Sequence, residues 1–267
     1  MISSGEEYVD SLRGRKLNVY LFGELIQDPV EHPIIKPSIN ALAKTYDLAN
    51  ENPDLATAVS PYTNERINRF LHIVESEKDL ILQNKMQRKL GQLTGTCFQR
   101  CVGMDAINSL HSVTFDIDQA HNTNYHKKFL SFLTSVQKQG LVIGGAMTDV
   151  KGDRSLLPHQ QEDPDLFVHV VDKNDDGVFI TGAKAHQTGV INSHWMIVMP
   201  TLRLTENDKE YAIVGAIPVD AKGITYIYGR QSGDTRHMDN TPIDTGNNNY
   251  AGQEALVVFD KVFIPNE

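Results

Sequence analysis

Apolar positions in the first half of the chain recur at the spacing of amphipathic helices. Proline suits the first turn of a helix, so Pro37 marks a start, and Asn52-Pro53 marks a stop because proline disfavours helix in the residue before it. Gly140 is a good C-terminal cap for the last helix. The pattern predicts helices over residues 8–16, 35–53, 64–93 and 125–140.

The only two cysteines of the chain extend one of these apolar stripes. Steps of three and four predict a single helical stripe through Met86, Leu90, Leu93, Cys97, Cys101 and Met104. Gly91 and Gly95 interrupt it, and each glycine costs a helix about 1 kcal/mol relative to alanine. Within such a helix both sulfurs would leave the same face.

Beyond residues 140–150 the period changes from 3.6 to 2, and short β-branched and aromatic runs are separated by turn-forming residues. The chain is therefore predicted to be α+β, with an N-terminal helical domain (1–143) followed by a small antiparallel β-barrel or sandwich (144–267). The predicted strands lie at residues 166–171, 177–182, 194–200, 211–219, 224–229 and 255–265.

Composition narrows the function classes. A net charge of −9 argues against a nucleic-acid partner, since such proteins carry a basic face. No apolar run approaches the ~20 residues of a membrane span, and the first residues lack the pattern of a secretory signal. We therefore expect a cytoplasmic protein with reduced thiols.

Cys97 and Cys101 have two interpretations from spacing alone. Free cysteine is often buried, so core packing is the more favoured one. The alternative is that both sulfurs bind one metal or cluster, but a complete site needs about four protein ligands. His111, His121 and His126 are candidate additional ligands that the spacing does not select.

A polar loop follows residues 141–146 and places Asp149, Lys151, Asp153 and Arg154 around Gly152. Backbone N–H groups with a nearby lysine and arginine suit an anionic cofactor, although an ordinary polar junction is equally compatible with the pattern. Neither a Rossmann fingerprint nor a P-loop is present.

Polar residues also follow the predicted strand 177–182. They suit hydrogen bonding to the edge of a heterocycle, or a simple hairpin end, and are Lys184, His186, Gln187 and Thr188. Glu254, at the entry of an apolar strand, is either a base of raised pKa or a solvated carboxylate. Arg230 and Arg236 are either phosphate partners or loop charges.

Several of these stretches resemble one known family in order along the chain. Residues 5–33, 149–155 (DVKGDRS) and 182–189 (GAKAHQTG) are similar to the flavin-dependent 4-hydroxyphenylacetate 3-monooxygenase family. The resemblance implies the acyl-CoA dehydrogenase fold, which has an N-terminal helical domain, a central β domain and a C-terminal helical bundle.

The cysteine pair discriminates within that family. Residues 95–106 (GTCFQRCVGMDA), 185–195, 228–236 and 252–266 resemble the branch that dehydrates 4-hydroxybutyryl-CoA to crotonyl-CoA and isomerises vinylacetyl-CoA. The resemblance implies FAD, a 4Fe–4S cluster and a flavin-coupled radical mechanism. It reverses the interpretation from spacing, because Cys97 and Cys101 then become cluster ligands.

The same resemblance implies roles for the polar segments. Thr188 would lie near the reactive flavin ring, and Glu254 would handle a proton or orient the substrate. The expected flavin contacts are Met147, Thr148, Asp149, Val150, Lys151, Gly152, Asp153, Arg154, His186, Gln187 and Thr188.

The resemblance also implies missing parts. A histidine and a third cysteine from the C-terminal bundle would complete the cluster, and the chain is expected to be an N-terminal part lacking that bundle. An acyl-CoA substrate and a homotetramer are implied, with the missing domain supplied by another chain if the gene is split. Two alternatives remain: a cluster-free aromatic hydroxylase, and a non-catalytic module that binds flavin or a partner.

Overall fold

The structure is a computed structural model that describes residues 1–231 and 249–266. Arg236, a candidate phosphate partner, lies outside the described residues. The helices of the described part are α1 (Gly5–Ser11), α2 (Lys36–Glu51), α3 (Pro53–Ala56), α4 (Glu77–Thr94), α5 (Cys101–His121) and α6 (Tyr125–Gln139).

Strands dominate the second half, as the period-2 pattern predicts. The first half also contains four short strands. All strands of the described ranges are β1 (Val19–Leu21), β2 (Glu24–Leu25), β3 (Thr57–Val59), β4 (Arg66–Asn68), β5 (Ile143–Ala146), β6 (His169–Asn174), β7 (Gly177–Thr188), β8 (Trp195–Val198), β9 (Gly215–Pro218), β10 (Ile224–Tyr228) and β11 (Glu254–Pro265). All six predicted strands are confirmed, and β1 to β5 were not predicted.

Two sheets carry the second half. One has the order β2-β1-β10-β11-β7-β6 and the other the order β5-β8-β9, while β3 and β4 form a separate hairpin. The prediction of a purely antiparallel arrangement is wrong, since β1 pairs in parallel with β10 and β5 with β8. Parallel neighbours need long crossover connections, and period-2 patterning of single strands does not reveal these.

The main core combines residues of both sheets with α1 and α2. Phe259 and Val257 from the large sheet, Met196 from the small sheet and Tyr8 from α1 are all inaccessible to solvent. Because β1 enters the large sheet beside β10, this sheet takes strands from both sides of the predicted boundary at residue 143.

The helix predictions had mixed outcomes. The helix from Pro37 to Asn52 is confirmed as α2, and Gly140 ends α6 in the left-handed conformation, with φ 69°. The helix predicted over 64–93 is wrong in its first part, which forms β4 and a single 3₁₀ turn. There α4 begins only after Ser76, whose hydroxyl accepts the Asp79 N–H.

No helix in the described ranges combines the length and the apolar character needed to cross a bilayer.

Candidate functional site

The loop after β5 is fastened to β7 from its first residue. The Met147 N–H donates to Gln187 Oε1 at 3.0 Å, and the Ala185 N–H donates to the Thr148 carbonyl at 2.8 Å. Asp149 forms an isolated antiparallel bridge with Lys184. The backbone of residues 147–149 therefore behaves as an extra strand on the edge of β7.

Side chains of residues 147–150 differ in their exposure to solvent. Met147 and Val150 are 36% and 39% exposed, whereas Asp149 is buried. The chain then turns through Lys151 and Gly152, with φ 80° and 48°. A side chain on Gly152 would approach Gln161 Oε1 to 2.5 Å, so this turn requires glycine.

Past the turn, Asp153 and Arg154 are exposed. Hydrogen bonds from the Ser155 N–H and hydroxyl hold the pKa of Asp153 below its ordinary value. The segment predicted to contact a cofactor thus presents an apolar strip followed by a polar, glycine-centred turn.

The end of β7 divides its polar side chains between surface and interior. His186 is exposed and adopts φ 55°, while Thr188 is half-buried. Gln187 is buried, and its amide donates to the carbonyls of Thr148, at 3.0 Å, and Ala185. Its side chain is therefore committed to holding the loop, as is that of the buried Asp149.

Thr188 and Glu254 face each other across the β7–β11 pair. The Thr188 hydroxyl donates to Glu254 Oε1 at 2.9 Å, and the Glu254 side chain is exposed. Its backbone is fixed by Gln231, which accepts from the Glu254 N–H at 2.9 Å and donates to the Glu254 carbonyl at 3.0 Å. One carboxylate oxygen is thus held in place on an anchored backbone.

The cysteines do not lie on one helical face, so that prediction is wrong. Gly95 adopts φ 62° and ends α4, which leaves Cys97 in a loop, and Cys101 is the first residue of α5. Gln99, between them, also has a left-handed backbone, with φ 64°. Both thiols are free. Cys101 is half-buried and packs against a hydrophobic core cluster, whereas Cys97 is exposed, so the prediction from spacing that both are core residues is wrong for Cys97.

The cysteine loop, defined as residues 95–101 so that it includes the first residue of α5, gives its two sulfurs different surroundings. The Gln99 N–H donates to Cys97 Sγ at 3.4 Å. Burial, with contributions from Cys97 and Asp105, raises the pKa of Cys101 to about 11 and outweighs the preference of a helix N-terminus for thiolate. A metal that binds Cys101 would have to displace the proton of its thiol.

Within the described ranges, no three His, Cys, Asp or Glu side chains converge as a metal site. His111 lies ten residues along α5 from Cys101, or about 15 Å of helix. Its Nε2 forms a hydrogen bond of 2.5 Å with the Tyr62 hydroxyl, and its ring packs against the ring of His126. These two histidines therefore form a cluster of their own.

The cysteine loop lies against the strand ends that carry Thr188 and Glu254. Gln99 Nε2 donates to the Ala251 carbonyl at 3.3 Å. A Cβ placed on Gly189 would approach Gln99 Cβ to 2.6 Å, and one on Gly252 would lie 3.6 Å from Cys97 Cβ. Segments more than 60 residues apart in sequence thus form one surface.

Three buried residues that support this surface, Gln99, Arg100 and Asn192, were not predicted from the sequence. Gln99 bridges the loop to Asn192, whose amide donates to Gln99 Oε1 at 2.8 Å. Arg100 is fully buried, with its guanidinium 5.0 Å from the Tyr46 ring centre and 4.8 Å from that of Phe70. The sequence carries no signal for this burial, since Gln, Asn and Arg side chains are mostly exposed in proteins.

Comparisons with known proteins show the family and the fold of this chain. The family "4-hydroxyphenylacetate 3-hydroxylase N terminal" matches residues 4–267. A 4-hydroxybutyryl-CoA dehydratase/vinylacetyl-CoA Δ-isomerase from Clostridium aminobutyricum is 54% identical over 270 residues, which is all of this chain and 55% of that protein.

Solved structures extend the comparison. An oxygen-tolerant archaeal 4-hydroxybutyryl-CoA dehydratase from N. maritimus superposes with a TM-score of 0.96 at 66% identity, over 100% of this chain and 53% of that one. The oxygenase component HpaB of 4-hydroxyphenylacetate 3-monooxygenase, complexed with FAD, shares the fold, with a TM-score of 0.79 at 20% identity, over 99% and 54%. The chain spans about half the length of these relatives, and it belongs to the 4-hydroxyphenylacetate 3-hydroxylase N-terminal family.

Proposed function

We propose that this chain is the N-terminal part of a 4-hydroxybutyryl-CoA dehydratase that also isomerises vinylacetyl-CoA. The observation that carries the proposal is the contact of the cysteine loop with the strand ends bearing Thr188 and Glu254. Identity of 54% over the whole chain to a dehydratase supports it. The acyl-CoA dehydrogenase-like arrangement, with domains 1–143 and 144–267, a β-barrel and a further helical bundle, is part of the proposal.

The surface of residues 147–154 and 186–188 fits FAD. Met147 and Val150 present exposed apolar atoms against which a flat ring can pack, and His186 and Thr188 supply polar groups beside them. The turn at Gly152, followed by the exposed Arg154, suits the anionic end of the cofactor. Asp149 and Gln187 would contribute through the backbone they hold in place.

The cysteine loop fits two positions of a 4Fe–4S cluster. Cys97 Sγ is accessible and already accepts a backbone N–H, the kind of bond that stabilises cluster sulfur. Cys101 follows four residues later, half-buried at the start of α5. The other ligands would come from outside the described residues, either later in the same protein or from another chain.

When bound, FAD would supply one-electron and hydrogen transfer, and the cluster a Lewis-acidic iron. In this scheme Glu254 holds or moves a proton at its carboxylate beside the acyl-CoA substrate, or orients that substrate. The Thr188 hydroxyl fixes Oε1, and the exposure of the side chain makes the carboxylate accessible for this purpose. A homotetramer, as the family resemblance implies, is included in the proposal.

The test is metal analysis of the full-length protein purified without oxygen. We expect iron and acid-labile sulfide in the wild type, and loss of both in Cys97→Ser and Cys101→Ser. Ser109→Ala, on the exposed face of α5 two turns beyond Cys101, is the matched control and retains the cluster. Crotonyl-CoA formation from 4-hydroxybutyryl-CoA should follow the iron content.

A different result selects another function. Protein that contains FAD but no iron, and hydroxylates a phenol when a flavin reductase is added, would be a monooxygenase like HpaB, whose fold it shares. Protein that binds neither cofactor would be a non-catalytic module. Either outcome overturns the dehydratase proposal.

A further inference from the structure

A buried lysine lies directly beneath the surface proposed to contact flavin. The side chain of Lys184 is only 2% exposed, and Nζ donates to the carbonyls of Met147 and Met199, both at 2.8 Å. Nζ also lies 2.5 Å from Asp149 Oδ1. An ammonium group has three N–H donors, so all three have an acceptor here.

These contacts join three parts of the chain. Lys184 belongs to β7, Met147 and Asp149 lie in the loop after β5, and Met199 directly follows β8. Asp149 is further held by the Thr201 hydroxyl, 3.2 Å from Oδ2. Burial lowers the pKa of Lys184, and the adjacent Asp149 opposes that shift.

The Lys184–Asp149 pair lies where it can control the position of the loop at residues 147–150. Lys184 binds the carbonyl of Met147 and the carboxylate of Asp149, and the side chains of Met147 and the neighbouring Val150 are exposed. Without the ammonium, two carbonyls and a carboxylate would be buried with fewer partners, a state that destabilises the local structure. The loop would then relax away from β7 and carry the apolar strip with it.

We propose that Lys184 is a positioning residue that sets the loop at Met147–Val150 in the geometry which receives the isoalloxazine ring. This inference rests on the proposed function only in that the ligand is FAD. It assigns Lys184 no contact with the cofactor.

The test compares FAD affinity with stability in the full-length protein. Lys184→Met is expected to raise the dissociation constant for FAD, measured by flavin fluorescence titration, by about tenfold or more. The matched control is Arg69→Met, which also removes a buried cation. Arg69 donates to the carbonyls of Leu55, at 2.7 Å, and Thr57, at 2.5 Å, and pairs with Asp79.

Arg69→Met is expected to lower the unfolding free energy while leaving FAD affinity close to that of the wild type. Equal loss of affinity in both variants would reduce Lys184 to a general stabilising residue and overturn the inference. Wild-type protein that binds no FAD would instead refute the proposed flavin function, so the two failures are distinguishable.

A second variant covers the case in which Lys184→Met fails to fold. Lys184→Gln combined with Asp149→Asn removes both charges and leaves no single buried ion. Hydrogen exchange of FAD-free protein should then accelerate in a peptide covering residues 143–152, with helices α2 and α6 unchanged. Unchanged exchange in that peptide, with unchanged FAD affinity, would contradict the inference.

Discussion

At the scale of single residues, the site depends on side chains whose partners limit their freedom. Glu254 keeps an exposed carboxylate, but the Thr188 hydroxyl and the Gln231 amide fix its position. Cys97 is similarly accessible yet oriented by the Gln99 N–H. Exposure combined with fixed orientation is what a reacting group needs, because positioning contributes a large part of a catalytic barrier reduction.

Substitution of Glu254 tests its role directly. We expect Glu254→Gln to lower crotonyl-CoA turnover by about 10²-fold or more, since the amide cannot exchange a proton at neutral pH. The exposed side chain implies a change in unfolding free energy within about 0.5 kcal/mol. Asp260→Asn, another exposed carboxylate of β11, is the control and should retain turnover. Full activity in Glu254→Gln would refute the assignment.

At the scale of elements, α5 lies unusually close to β5. A Cβ on Gly103 would overlap the Ile143 carbonyl oxygen, and one on Gly145 would overlap Val102 Cγ1. Cys101 begins α5, and β5 leads directly into Met147. This glycine contact therefore fixes the cysteine end of α5 relative to the loop proposed to contact flavin.

Two glycine substitutions distinguish this contact from ordinary helix propensity. Gly103→Ala should lower the unfolding free energy by about 1–3 kcal/mol, because neither the carbonyl nor the helix backbone can move aside cheaply. Gly91→Ala, in α4 with nothing within 4 Å of the added Cβ, should instead stabilise by about 0.5–1 kcal/mol. Chemical denaturation measures both, and stabilisation by Gly103→Ala would contradict the close packing.

At the scale of the whole molecule, the half-buried His194 links the helical and β halves. The Val142 N–H donates to His194 Nδ1 at 2.9 Å, so Nε2 carries the proton toward Ser11 Oγ, also at 2.9 Å. Ser11 belongs to α1, and His194 precedes β8. Burial, with Arg15 and Arg100 nearby, lowers the pKa of His194 from 6.5 to about 3.

This histidine predicts loss of stability in acid. Below about pH 6.5 the unfolded chain binds a proton that the folded chain excludes, so stability falls until the pH reaches the folded pKa of about 3. His194 contributes at most about 1.4 kcal/mol per pH unit to the slope of the unfolding free energy against pH. We expect His194→Gln to flatten the pH dependence of the urea midpoint in that window, whereas His121→Gln, at an exposed position, should not. An unchanged slope in His194→Gln would contradict the prediction.

Local pattern alone determined much of the architecture. Prolines and capping glycines set the ends of α2 and α6, since their backbone preferences act within a few residues. Alternating apolar residues gave the strands of the second half. The resemblance carried by the Cys97–Cys101 spacing and by the segments at 149–155 and 182–189 indicated a flavin and iron–sulfur chemistry, which remains proposed.

Only the tertiary structure decided how these pieces meet. The left-handed backbone at Gly95 and Gln99 takes Cys97 out of the helix, and sequence periodicity cannot register such a turn. Parallel pairing of β1 with β10, the inward turn of Gln187 and Asp149, and the contact of the cysteine loop with Gly189 and Gly252 all join distant segments. Such pairings are selected by the packing of the whole core, because no single segment can satisfy its own buried polar groups.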